Sequence, residues 1–220
     1  MVTFFGSSVI ISSTSLLVGS VARGSVGEAY LFNRDTGGIT KVINYPGQLS
    51  NDRFAWGLAS NDNLIAISST EAVHMYSSTN GNFIRSVSAP TGSSGFGISL
   101  NLSDQYLIVG SALKGVNETV YLYNSSTGLL LQTIPDEYPG KTDAFGGTVA
   151  VSDKYIMVGA PGANNNKGAV YLFDINTGEK YTINSPGGDG AYFGTSLHIR
   201  ENYSIIGSSG DGKAYVYQLP

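Results

Sequence analysis

The chain has 220 residues, a net charge of −4 and no cysteine. The lack of cysteine excludes disulfides, zinc–thiolate sites and cysteine nucleophiles. The acidic balance, without any Lys/Arg cluster, argues against nucleic acid as a partner, because phosphate backbones are bound by basic surfaces. With 13% charged residues, 29 Gly and 14 Tyr, the composition favours a β protein with many tight turns.

The first predicted strands lie at the N-terminus. Residues 1–20 contain apolar stretches, as a signal peptide does, but they lack a basic start, and Ser and Thr interrupt the apolar run. The segment also matches a repeat that recurs along the chain. We therefore predict folded strands here. No apolar run reaches the length of a membrane-spanning helix, so we predict no membrane insertion.

The same pattern of short strands recurs five times. Each copy opens with Phe followed by Gly or Ala, and a small residue closes an apolar second strand 14 positions later. The openings are Phe5-Gly6, Phe54-Ala55, Phe96-Gly97, Phe145-Gly146 and Phe193-Gly194. A period of 42 to 49 residues with about four strands per unit indicates a β-propeller. We predict one all-β propeller domain over residues 1–220, with five blades that start near residues 5, 54, 96, 145 and 193.

Strand position within a blade follows from the residue pattern. The second strands are continuous apolar runs, such as Tyr155–Val158, which indicates burial on both faces. The fourth strands, such as Phe83–Val87, carry polar residues suited to an outer edge. The fifth copy has no fourth strand before Pro220. We expect a closed five-blade ring with a three-stranded last blade. The alternative is an incomplete ring that needs missing blades or the blades of a partner, with self-association through the incomplete fifth blade.

The fourth copy carries the motifs Phe145-Gly146, Gly159-Ala160-Pro161 and Gly168-Ala169-Val170-Tyr171. It resembles the FG-GAP repeat of integrin α-subunit propellers and their relatives, and the other copies keep part of the pattern. This resemblance implies an extracellular or surface adhesion, receptor or carbohydrate-binding module. Such repeats often carry an Asp-x-Asp-x-Asp-Gly calcium loop. Here the matching turns, such as Ser152-Asp153-Lys154, hold at most one acid, so we predict no such calcium site. We also predict no metal site elsewhere in the chain and no cofactor.

Catalytic residues are not evident in the sequence. The two histidines, His74 and His198, lie in predicted strands and are expected to be structural. The first strands contain no Asp or Glu that would serve as a glycosidase carboxylate pair. The single tryptophan, Trp56, is expected to be buried between blades. We therefore predict a protein that is not an enzyme.

The longer connections of each copy share one predicted face, and loops on a rigid scaffold commonly carry recognition. Tyrosines there offer amphipathic rings, and charged residues lie close to them in the sequence. The predicted ligand-binding residues are Tyr45, Arg53, Tyr138, Lys141, Asp143 and Tyr192. The expected partner is a protein. The alternatives are a glycan, or an architectural role within a larger surface or virion protein.

Overall fold

A computed structural model describes residues 2–13, 15–23, 26–47, 53–113, 116–137 and 143–220. Over these residues the chain forms five antiparallel sheets and one short helical turn. Its contacts divide it into two compact units, residues 1–91 with 96–100, and residues 92–95 with 101–220. None of the helical structure in the described ranges is long and apolar enough to cross a membrane.

The first unit contains two four-stranded sheets, in each of which every strand pairs with the next along the chain. The first sheet consists of β1 (Val2–Ile11), β2 (Ser15–Arg23), β3 (Glu28–Asn33) and β4 (Ile39–Asn44). The second consists of β5 (Leu58–Ser60), β6 (Leu64–Ser68), β7 (Ala72–Ser77) and β8 (Phe83–Ser88). The N-terminal segment therefore forms strands, as predicted.

The remaining three sheets follow the same order of pairing. The third consists of β9 (Phe96–Leu102), β10 (Tyr106–Leu113), β11 (Val116–Asn124) and β12 (Leu130–Pro135). The fourth consists of β13 (Thr148–Val151), β14 (Tyr155–Ala160), β15 (Ala169–Asp174) and β16 (Lys180–Asn184), with the turn α1 (Ala163–Asn166) after β14. The fifth has three strands, β17 (Phe193–Arg200), β18 (Tyr203–Ser208) and β19 (Lys213–Gln218). The prediction of an all-β chain built from five repeated sheets is confirmed.

Burial follows strand position, as the apolar pattern predicted. All six residues of β14 are buried, whereas β12 buries only Ile134. In the second unit the fourth and fifth sheets pack face to face through Met157, Leu172 and Phe193 among others. β14 is buried on both faces because a sheet lies on each side of it, which explains its continuous apolar run. The second strand of the fifth sheet, β18, differs: Tyr203 and Ile205 are exposed, so the prediction that its apolar run is buried on both faces was wrong.

The Phe that opens a repeat lies between two residues with unusual backbone conformation. Around Phe145 these are Ala144, with φ of 58°, and Gly146, with φ of 79°; around Phe193 they are Tyr192 at 52° and Gly194 at 96°. Positive φ is readily adopted by Gly and is unfavourable for Ala. In these two repeats the Phe-Gly pair therefore marks an irregular point of the backbone, and both Phe rings are buried in the core, whereas Phe5 of the first repeat is 61% exposed.

Candidate functional site

Three acidic residues of the second unit come together beside the start of the fourth repeat. Glu118 lies on β11, Asp136 follows β12, and Asp143 precedes Phe145 by two residues. One carboxylate oxygen from each lies within 4.8 Å of the other two. The residues are only 4%, 8% and 3% exposed, respectively. We call this group the carboxyl cluster.

Backbone hydrogen bonds position the cluster. The Asp136 amide donates to the Glu118 carbonyl at 2.9 Å, which places the end of β12 beside β11. The Gly162 amide donates to the Asp143 carbonyl at 2.8 Å. The Phe145 amide then donates to Glu118 Oε2 at 2.8 Å and to Asp143 Oδ1 at 3.3 Å. One amide therefore holds two of the three carboxyl groups.

The electrostatics of the cluster are unfavourable without a positive charge. Two unit charges 4.8 Å apart repel by about 3 kcal/mol at an effective dielectric constant of about 20. The ion pairs formed by side chains of the described residues, Lys167–Asp189 and Lys180–Glu137, do not include Glu118 or Asp143. Burial, followed by the hydrogen bond with Asp143, raises the pKa of Glu118 to about 7.

Glu118 also has an oxygen without a hydrogen bond. Its Oε2 is bound by the Phe145 amide, but its Oε1 is buried and has no hydrogen-bond partner. Buried polar atoms are normally satisfied, so such an atom calls for a proton or a ligand. Carboxylate oxygens are the donors that hard divalent cations prefer. The cluster can therefore share a proton or hold such a cation.

A cleft leads from the surface to the cluster. Its walls include Asp143, together with Asn164, Lys180, Thr182 and Asn184. Lys180 is held at its rim by Glu137 at 2.6 Å and lies 4.5 Å from the centroid of the Tyr171 ring. Small polar ligands and ions have a route to Asp143 from this side.

The cluster was not predicted from the sequence, because its acids lie on three different elements. One feature of the repeat does point to Glu118. At the position before the third-strand motif, the fourth copy has Gly168, and the third copy has Glu118 instead. At Gly168 the backbone approaches Phe193 so closely that a Cβ would overlap it. A side chain at this position can therefore reach the opening Phe of the next repeat, as Glu118 reaches Phe145.

The described members of the predicted binding set fall in both units. Asp143 is buried in the carboxyl cluster, so its expected place on an exposed face was wrong. Tyr45 is partly buried, with its ring centroid 5.6 Å from those of Phe54 and His74. Arg53 and Tyr192 are exposed. Tyr138 and Lys141 lie outside the described residues.

Trp56 is 52% exposed, so the prediction that it is buried between blades was wrong. The strand β5 begins only at Leu58, and Trp56 lies in the turn before it. The guanidinium carbon of Arg53 lies 5.7 Å from the centroid of the indole. The two side chains form an exposed cation–π pair in the first unit.

The two histidines differ in burial. His74 is buried between Ser69 and Ser86, whereas His198 is exposed.

The long loops of the second unit form a fixed, exposed surface. The residues Asn164, Asn165 and Asn166 are exposed and have φ of 53°, 60° and 62°, so α1 is a turn. The Tyr192 amide donates to the Asn166 carbonyl at 2.8 Å. Lys167 pairs with Asp189 at 3.5 Å. We call residues 164–167, Asp189 and Tyr192 the asparagine surface.

A comparison with known families supports the assignment of the fourth repeat. The family model of the FG-GAP repeat matches residues 139–173. This stretch is therefore similar to an FG-GAP repeat. The match covers β13, β14 and most of β15 and includes Asp143, whereas Glu118 and Asp136 precede it. The resemblance predicted from the sequence is confirmed. A search of curated proteins finds no match to the chain.

Proposed function

We propose that this chain is a non-enzymatic recognition module, a propeller of five FG-GAP-like blades that binds a protein partner through the asparagine surface. We place it outside the cell or on a cell or virion surface. The observation that carries the proposal is that this surface is exposed and yet held by backbone hydrogen bonds and an ion pair. A surface that is already ordered loses little conformational entropy on binding.

The residues of the asparagine surface suit a protein interface. Tyr192, at 40% exposure, offers an aromatic ring with few torsions to immobilise. The three asparagine amides each offer donors and acceptors. The Lys167–Asp189 pair is exposed and supports specificity more than affinity. A neutral glycan would use the same amides and ring, and it is the alternative ligand.

A dual array tests this proposal. The labelled chain is applied to immobilised extracellular proteins and to glycans on one support. We expect saturable binding to a protein that Tyr192→Asn weakens about tenfold, a loss of roughly 1.4 kcal/mol. Asn tolerates the left-handed backbone at this position. Phe83→Asn, which removes an exposed aromatic ring on β8 of the first unit, is the control and is expected to bind like the wild type.

The outcomes are distinct. Binding to glycans alone would assign the carbohydrate alternative. Binding that Tyr192→Asn and Phe83→Asn reduce equally would remove the asparagine surface from the proposal. An absence of binding to either class of ligand would overturn it.

A second candidate function is assembly, and it concerns the outer face of the fifth sheet. In the fourth sheet, Tyr155, Met157 and Leu172 are at most 2% exposed because the fifth sheet covers them. The matching residues of the fifth sheet are Tyr203, Ile205 and Val216, and they are 52%, 43% and 67% exposed. An uncovered apolar face of this kind is typical of an interaction site.

The first sheet carries the complementary face. In the fifth sheet, Phe193, Leu197 and Ile199 are the first-strand residues that pack on the preceding sheet. Their equivalents in the first sheet are Phe5, Val9 and Ile11, which are 61%, 59% and 64% exposed. The contact already made between the fourth and fifth sheets can thus be repeated between the fifth sheet and the first sheet of a second copy. We propose this head-to-tail association.

Sedimentation over a concentration series tests the association. We expect the average mass of the wild type to rise with concentration, because a head-to-tail contact adds copies until a ring closes. Ile205→Lys is expected to remain monomeric. Ile84→Lys, which alters an apolar residue of 41% exposure on β8, is the control and is expected to associate like the wild type. A wild type that is monomeric at every concentration would overturn the proposal.

A further inference from the structure

The carboxyl cluster has no role in the proposed recognition function. We propose that Glu118, Asp136 and Asp143 bind one divalent cation of the calcium type, which ties β11 and the end of β12 to the opening of the fourth repeat. The site is separate from the turns between first and second strands, where the Asp-x-Asp-x-Asp-Gly loop would lie.

The three acids of the carboxyl cluster are deeply buried. The three residues are at least 92% buried, since none exceeds 8% exposure. Carboxylates are rarely buried to this extent unless they are paired or coordinate a metal. A single shared proton would neutralise only one of the three charges. A divalent cation neutralises two and replaces the water that burial removes.

The carboxyl group of Glu118 is held in one orientation. The Phe145 amide binds its Oε2 at 2.8 Å and so fixes the carboxyl group, while Oε1 remains buried without a hydrogen bond. The same amide lies 3.3 Å from Asp143 Oδ1, so one donor orients both acids. Second contacts that hold ligand side chains in place are typical of metal sites.

The spacing of the cluster oxygens is compatible with one bound cation. The cluster oxygens are separated by up to 4.8 Å. Two oxygens bound to one Ca²⁺, at about 2.3–2.6 Å each, lie at most about 5.2 Å apart. Oxygens no more than 4.8 Å apart can all be reached by one Ca²⁺. Mg²⁺ gives up its water ligands less readily, so it is expected to bind this buried site less tightly.

An ion can approach the cluster through the cleft beside Asp143. Asp143 lines the cleft that Asn164 and Asn184 border, so the ion and its water ligands can reach the cluster from the surface. Water supplies the remaining positions of a six- to eight-coordinate ion. Lys180 does not occupy the cluster, because Glu137 holds its ammonium group at 2.6 Å.

The test uses the full chain after removal of metals with a chelator. Calcium chloride is titrated into it by calorimetry, and thermal unfolding is followed with Ca²⁺, with Mg²⁺ and without either. We expect one Ca²⁺ per chain, a rise of several degrees in Tm with Ca²⁺, and a smaller rise with Mg²⁺ at the same concentration. Glu118→Gln is expected to lose both the heat signal and the rise. Glu71→Gln, which neutralises an exposed acid of the first unit, is the matched control and is expected to keep both.

Two results would overturn the site. One is a wild type that gives neither heat nor a Tm shift at millimolar Ca²⁺, which would leave a shared proton as the state of the cluster. The other is an equal Ca²⁺ shift in the wild type and in Glu118→Gln, which would place the ion elsewhere. If Glu118→Gln does not fold, the isothermal titration of Asp136→Asn replaces it.

Discussion

The Thr148 hydroxyl donates a hydrogen bond of 2.6 Å to the backbone carbonyl of Gly194. This bond joins the fourth sheet to the Phe-Gly opening of the fifth repeat. The Cα of Gly159 lies against the same carbonyl, because a Cβ on Gly159 would overlap with it and with the Thr148 hydroxyl. The Phe-Gly and Gly-Ala-Pro parts of the FG-GAP repeat are therefore two sides of one contact between successive sheets.

The first unit repeats this contact with different residues. The Ser8 hydroxyl donates to the Ala55 carbonyl at 2.9 Å, and a Cβ on Gly19 would overlap with Ser8 and approach that carbonyl. Ser8 and Thr148 both lie three positions after the opening Phe of their repeat. The contact is therefore a property of the repeat, and the motif residues recur because of it.

Gly159→Ala is expected to destabilise the protein by about 2 to 4 kcal/mol, because the added methyl group overlaps the Gly194 backbone, which cannot move as a flexible side chain does. Urea denaturation measures the change. Gly188→Ala is the control: nothing lies within 4 Å of its Cβ, and its effect is expected to stay within about 0.5 kcal/mol. Equal effects of the two substitutions would contradict the close sheet contact.

Thr148→Val is expected to cost about 1 to 2 kcal/mol in the free energy of unfolding. It keeps the shape of the side chain but removes the donor to the Gly194 carbonyl. Thr182→Val, at an exposed position on β16, is the matched control and is expected to be nearly neutral. If the Thr148 variant unfolds at the same urea concentration as the wild type, the hydrogen bond does not contribute to the sheet contact.

Ala144→Gly is expected to stabilise the protein by roughly 0.5 to 1 kcal/mol. Ala144 has φ of 58°, where a Cβ costs about 1 to 2 kcal/mol, and the greater freedom of Gly in the unfolded chain offsets only part of the gain. Ala214→Gly on the exposed strand β19 has no such strain to relieve and is expected to destabilise. A destabilised Ala144→Gly variant would show that the methyl group contributes more by packing than it costs in strain.

The sequence predicted the sheets well and the site poorly, for a physical reason. Strand order and burial depend on local apolar runs such as Tyr155–Val158, which a repeat presents five times. The carboxyl cluster depends on acids that are distant in sequence, and each of them alone resembles a solvated side chain. Asp143 was therefore placed on the surface. Trp56 was placed in the core because the late start of β5, at Leu58, is not visible in its residue pattern.

In a chelator, Glu118 is expected to make the protein less stable as the pH rises. Burial and the neighbouring acids Asp143 and Asp136 raise its folded-state pKa to about 7 from an ordinary value of 4.5. The folded protein then binds more protons than the unfolded chain between these values, so the free energy of unfolding falls through this window, by about 2 to 3 kcal/mol. Urea denaturation at pH 5 and pH 8 measures the difference, and Glu118→Gln is expected to reduce it by most of that amount. A variant that keeps the full pH dependence of the wild type would assign the titration to another group.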